Sequence, residues 1–177
     1  MYHDRGNLNF CFIGPRSEHP LDGSFLQAVR EILFSLGLPV EQGKRKDLWI
    51  NGAKVSGTAS QVGKYRELHH GTLLYDADLE QLNRALLAPR LLEEKSPSRM
   101  ENGGECAKSV PSVPSKVTNL RIFMKKDLLP EFFFDTFAAE CGNYYGCGVH
   151  PFGKEEESAI DELYRQKYST DAWIFRK

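Results

Sequence analysis

The stretch "INGAKVSGTAS", Ile50 to Ser60, decides how this chain is read. Asn51-Gly52 is a hairpin signal, because a type I′ turn needs positive φ at both central residues. Lys54 then falls near the start of the second strand. Ser56, Gly57 and Thr58 follow it, small enough for a ligand to approach the backbone. The lysine ammonium is a compact point charge suited to a phosphate or a carbonyl. The same local pattern also fits a solvated strand lysine beside a turn.

Upstream, "GKRKD" (Gly43–Asp47) is a short basic run ending in an acid. It fits a solvated loop or a receiver of an anionic group. "NLNFCFIG" (Asn7–Gly14) reads as a strand closed by Gly14-Pro15. A helix of about 14 residues follows by periodicity, with Phe25, Leu26, Val29, Ile32, Leu33 and Leu36 on one face. Asp22 or Ser24 can cap its start, Gly37 can end it, and Pro39 bars continuation. "HDRGN" (His3–Asn7) holds turn and capping residues before the first strand.

Downstream, "HHGTLLYD" is a further strand. Neighbouring strand side chains point to opposite faces, so His69 and His70 cannot both serve one metal. Asp76 or Asp78 can cap a helix carrying Leu79, Leu82, Ala85 and Leu86. From Pro89 to Ser115 the chain is rich in Ser, Pro, Gly and charge and reads as a long mobile loop. Pro130 suits the first turn of a helix with Phe133, Phe134 and Phe137. "GCGVHPFG" reads as a short strand and turn. A last helix, about Glu155 to Tyr168, carries Ile160, Leu163, Tyr164 and Tyr168 on one side. Hairpins without a βαβ rhythm favour an α+β fold with a mainly antiparallel sheet.

The composition narrows the function. The 177 residues suffice for one domain with a core, and the net charge of −1 gives no general attraction to nucleic acid or anionic membrane. No apolar run approaches a membrane span, the start resembles no signal or transit peptide, and a cytoplasmic protein is expected. The four cysteines, Cys11, Cys106, Cys141 and Cys147, form no CxxC pair and no zinc spacing. Cys11, in an apolar run, is expected to be buried.

Five segments in order, "YHDRGNLNFCFI", "DLWINGAKVSGTAS", "LHHGTLLYDADLEQLNRAL", "SVPSKVTNL" and "KYSTDAWIF", resemble the lipoate–protein ligase A family. The resemblance runs from Tyr2 to near Phe175. It implies a biotin/lipoate ligase-like catalytic domain over 1–177, related to the class II aminoacyl-tRNA synthetase fold. It implies activation of lipoate with ATP to lipoyl-adenylate, then transfer to a lysine of a lipoyl domain. The acceptors it implies are E2 subunits of 2-oxoacid dehydrogenases or the glycine cleavage H protein.

By resemblance Lys54 is the catalytic lysine, offsetting negative charge during adenylation and transfer. Ser56, Gly57, Thr58 and Ala59 would form the wall beside the acyl-adenylate, with His70, Gly71 and Thr72 on a neighbouring strand. Asp47 would lie near the nucleotide and its Mg²⁺. Tyr2, His3, Asp4, Gly6 and Asn7 would bring backbone to the adenine and ribose side.

The sequence departs from the family pattern in two places. The family's Arg-Arg-x-Ser-Gly-Gly-Gly segment would precede Tyr2, so the site is expected to be incomplete at the N-terminus. Lys46 stands where the family usually has Asn. Two competing readings follow. An octanoyl- or lipoyl-transferase working through a thioester needs a cysteine just before the hairpin, and Val40–Asp47 has none. A non-catalytic remnant would keep a binding surface without turnover.

Overall fold

The structure, a computed structural model, describes residues 2–94 and 115–175. It is α+β, with two small sheets and flanking helices. In the first sheet β1 (Asn7–Pro15), β6 (Arg66–Leu74) and β5 (Thr58–Val62) lie in the order β1-β6-β5. In the second, β2 (Glu41–Gln42), β3 (Leu48–Ile50) and β4 (Ala53–Lys54) lie in chain order. Every ladder in both sheets is antiparallel.

Asn51 and Gly52 close the β3–β4 hairpin with φ of 47° and 74°, the positive pair expected of its turn. The second strand is shorter than the sequence suggested. β4 ends at Lys54, the chain crosses to the other sheet through residues 55–57, and β5 begins at Thr58. Ser56-Gly57 is therefore a sheet-to-sheet crossing.

Helix α1 (Phe25–Ser35) buries Leu26, Val29, Ile32 and Leu33, as its 3.6-residue period requires. Asp22 accepts a hydrogen bond from the Ser24 backbone N–H (2.8 Å) just ahead of it. The core joins these residues to Leu38, Val40, Leu48, Ile50, Val55, Leu73, Tyr75 and Leu120. Phe133 and Phe137 of α3 (Pro130–Tyr145) close it, and Phe133 stacks on Tyr75 with centroids 3.9 Å apart. Pro130 takes the first turn of α3, where its missing N–H costs no hydrogen bond. Gly146 ends the helix in the left-handed region (φ 64°).

Several expectations are corrected. Cys11 is exposed rather than buried. Phe10 and Phe12 pack against the core, so strict alternation turns Cys11 to the opposite face of β1. Helix α2 (Leu79–Glu94) runs through Pro89, so the first residues of the expected loop are helical, and 95–114 lie outside the described residues. Asp78 caps α2 by accepting from the backbone N–H of Glu80 and Gln81 (3.1 and 3.0 Å), while Asp76 is taken by Arg121. Residues 147–153 hold no strand. The expected last helix is present, as α4 (Lys154–Leu163) continued by a π-helical turn (Tyr164–Tyr168), and a short α5 (Asp171–Ile174) follows it. The apolar side of this arm is exposed.

Candidate active site

Lys54 sits where three backbone segments meet. It pairs with Trp49 across the hairpin, and residues 116–118 run alongside it. The Lys54 N–H donates to the Lys116 carbonyl (2.8 Å), and the Thr118 N–H donates to the Lys54 carbonyl (3.1 Å). The backbone at this lysine is thus pinned on both sides. Sequence periodicity alone had not marked 116–118 as a strand-like neighbour, because its partner lies some 60 positions away in the chain.

The Lys54 ammonium lies 3.1 Å from the Asp47 carboxylate, and its side chain keeps 27% of its exposure. Asp47 itself is 5% exposed. Burial pushes its carboxyl upward, but hydrogen bonds from Trp49 and Lys54 and the lysine charge outweigh this. The net result lies below the ordinary carboxylate value, so Asp47 is an anion at neutral pH. A buried carboxylate therefore holds a half-open ammonium, a charge available to an anionic ligand and prevented from swinging away.

The small residues beyond Lys54 also come together with the second motif. Thr58 pairs with Gly71 and Ala59 with His70 across β5–β6. The Thr72 N–H donates to the Gly57 carbonyl (3.0 Å), and the Gly57 N–H reaches the Thr72 hydroxyl at 3.4 Å. The Thr58 hydroxyl donates to the Lys46 carbonyl (2.5 Å), fastening the basic loop to this strand. Ser56 is 1% exposed, and its hydroxyl has no hydrogen-bond partner among the described residues. An unpaired buried hydroxyl is rare in a folded protein, and this one lies two positions from Lys54.

Alternation divides the second motif. His70, Thr72 and Ala59 share the outer face of the sheet with Cys11 and Asn9. Gly71 faces inward, where a Cβ would lie 2.4 Å from the tip of the Phe10 ring. His69 is the buried histidine (4% exposed), stacked on Phe25 at 4.3 Å and bonded to the Ser60 hydroxyl at 2.8 Å. His70 is exposed.

The Tyr2–Asn7 stretch flanks β6 on its other side. Asp4 accepts hydrogen bonds from the Tyr2 hydroxyl (2.9 Å), the Gly6 N–H (2.9 Å) and the Asp78 N–H (2.7 Å). Gly6 presses on residues 76–77 so closely that a Cβ would lie 2.0 Å from the Asp76 carbonyl oxygen. Asp4 and Gly6 thus lock the start of β1 to the β6–α2 turn. Asn7 donates to the exposed His3 ring (2.6 Å), and its own Oδ1 is buried without a partner.

Among the described residues no three His, Cys, Asp or Glu side chains are grouped to hold a metal ion. Asp47, the residue expected beside Mg²⁺, already accepts from Trp49 and Lys54 and is almost wholly covered. These residues do not form a protein cage for a divalent cation. No helix among the described residues is long and apolar enough to cross a membrane.

Known proteins share the sequence pattern and the fold of this chain. The family model for the lipoyl protein ligase A/B catalytic domain matches residues 1–142. The chain is 29% identical over 186 aligned positions to lipoate–protein ligase 1 of Staphylococcus aureus, covering 99% of this chain and 50% of that protein. Its fold resembles a crystal structure of lipoate-protein ligase A bound with ATP, with a TM-score of 0.69 and 23% identity. That likeness covers 97% of this chain and 66% of the other. It also resembles a bipartite lipoate protein ligase from Thermoplasma acidophilum, solved in work on that ligase and its E2 lipoyl domain. There the TM-score is 0.65 and the identity 21%, over 97% of this chain and 65% of the other. The chain spans about half the length of the curated relatives it matches.

Proposed function

The chain belongs to the lipoyl protein ligase A/B catalytic-domain family, and from that premise we propose that it is an ATP-dependent lipoate–protein ligase. The observation that carries the reading is the Lys54 ammonium, half-open and held at 3.1 Å by the buried anion of Asp47. Relatives that bear the lipoate ligase name and a structural neighbour that binds ATP support the choice of substrates.

In the first half-reaction a lipoate carboxylate oxygen attacks the α-phosphorus of ATP. The bond to pyrophosphate breaks, and lipoyl-adenylate remains. Negative charge accumulates on the phosphate oxygens, and Lys54 is the cation that offsets it. In the second, an acceptor lysine amine attacks the acyl carbon. The bond to the adenylate oxygen breaks, AMP leaves with the electron pair, and the amine loses a proton. Lys54 again faces the developing oxyanion. The unpaired Ser56 hydroxyl and the backbone of Gly57, Thr58 and Ala59 form one wall, with His70 and Thr72 beside them on β6. Tyr2, His3 and Asn7 border the nucleotide side, over a turn that Asp4 and Gly6 hold in place. A Mg²⁺ carried in by ATP would supply further charge neutralisation at the phosphates, and Asp47 would be the carboxylate beside it.

The acceptor is a lysine of a lipoyl domain, in a 2-oxoacid dehydrogenase E2 subunit or the glycine cleavage H protein. A neighbour studied with its E2 lipoyl domain supports the first. The reaction belongs in the cytoplasm, where ATP and these acceptors meet. The test is to incubate the chain with lipoate, ATP and an E2 lipoyl domain and follow the domain's mass. A lipoyl adduct that needs ATP is expected. An unmodified domain, or an adduct formed equally well without ATP, overturns the reading.

A further inference from the structure

Trp49 lies on β3, opposite Lys54 on one side and Glu41 on the other. It is half-buried and stands outside the apolar core cluster, so packing does not account for an indole here. Its indole Nε1 lies close to the Asp47 carboxylate, the group that also holds Lys54, and the nearby N–H helps keep that carboxyl below its ordinary value. Gly43 closes the same spot from the loop. A Cβ there would lie 2.2 Å from Asp47 Oδ1 and 2.5 Å from Trp49 Nε1. Real Cβ contacts are never that short, and Gly43 has no positive φ to explain the glycine otherwise. The requirement is for space. The Gly43 N–H also donates to the Asp47 carbonyl (2.8 Å), fixing the loop against the acid. The carboxylate is therefore gripped by an indole, an ammonium and a bare stretch of backbone.

We propose that Trp49 is a positioning residue: its indole N–H, seated against Gly43, holds the Asp47 carboxylate so that Asp47 aims the Lys54 ammonium at the reacting acyl and phosphate oxygens. This rests on the ligase reading given above. A carboxylate oxygen that loses the indole donor would turn to the nearest cation, and that cation is Lys54. Both oxygens would then draw the ammonium inward, away from the ligand. The indole acts on the charge distribution through Asp47 and touches no substrate.

The test combines a spectroscopic and a kinetic readout on the full chain. The Trp49 indole N–H resonance is assigned by its loss in Trp49→Phe, with Trp173 as the internal comparison. It should exchange slowly with solvent and move in Asp47→Asn, while that of Trp173 stays in place. In ATP- and lipoate-dependent pyrophosphate release, Trp49→Phe should lower kcat about tenfold, the worth of one charge-assisted hydrogen bond. The KM for ATP should stay within about twofold. Gly43→Ala should reproduce the kcat loss with the indole intact. An indole N–H that exchanges as fast as that of free indole and ignores Asp47→Asn overturns the proposal. So does a Trp49→Phe chain with wild-type kcat. If the wild type forms no lipoyl-adenylate, the ligase reading falls and the catalytic role falls with it, whereas the resonance still decides whether the indole holds Asp47.

Discussion

The Lys54 hub and the C-terminal helical arm are built from opposite principles. At the hub, Asp47, Val55 and Ser56 are buried, and the Lys54 backbone is bonded on both sides. In the arm, every described residue from Asn143 onward is exposed except the half-buried Thr170. At its base the Tyr145 ring meets Phe12 of β1 at 6.1 Å, and further along Tyr168 packs edge-on against Trp173 at 5.0 Å with Lys167 over both rings. The family match ends at residue 142, where burial ends. The difference shows how two equally clear sequence patterns can carry unequal information. An amphipathic stripe names the face that seeks a cover, and only tertiary contacts say whether it has one. A charged residue at the end of a strand, where the chain leaves one sheet for the other, is fixed by the structure around it.

The largest effect should come from cutting the core that supports the hub. Phe133→Ala removes the ring stacked on Tyr75 and should cost about 3–5 kcal/mol in denaturant unfolding. A loss below about 1 kcal/mol would mean that α3 is not part of the unit that holds the hub. Acid should expose the hub next. The folded Asp47 carboxyl lies below its ordinary value of 3.8. Its contribution to stability is therefore complete above that value and is lost as pH falls through the lower, folded one. Asp47→Asn should flatten the loss of stability below about pH 4, and a mutant curve parallel to wild type would place the acid response elsewhere. The smallest effect should come from the arm. Leu163→Ala, at a side chain 52% exposed, should change stability by no more than about 0.5 kcal/mol. A cost of several times that would show that the arm is packed and would erase the contrast.

Much of the fold was legible because local rules decided it. The Asn51-Gly52 turn needs a backbone few residues accept, and α1 has a clean period ended by Gly37. Other features depend on register, which no local window carries. "NFCFI" is apolar almost throughout, so alternation alone could not tell that Phe10 and Phe12 face the core and Cys11 faces away. The same ambiguity left open which of His69 and His70 is buried. The residues around Lys54 were drawn from motif resemblance. The grip on Asp47 by Trp49 and Gly43 was missed, because a loop glycine four positions before an acid looks like ordinary turn chemistry. The glycine becomes informative only when its missing Cβ is seen to point at the carboxylate. The shortness of β4 was equally hidden, since it depends on a neighbour at 116–118.

The central claim is that Lys54, aimed by Asp47, is the charge that drives lipoate adenylation. The most direct measurement is pyrophosphate release by the 177-residue chain with lipoate and ATP, wild type against Lys54→Ala. The account predicts lipoate-dependent release by the wild type, lowered by about 10²–10³-fold in a variant that is still folded under the assay conditions. Release that survives Lys54→Ala, or a folded wild type that releases none, would contradict it.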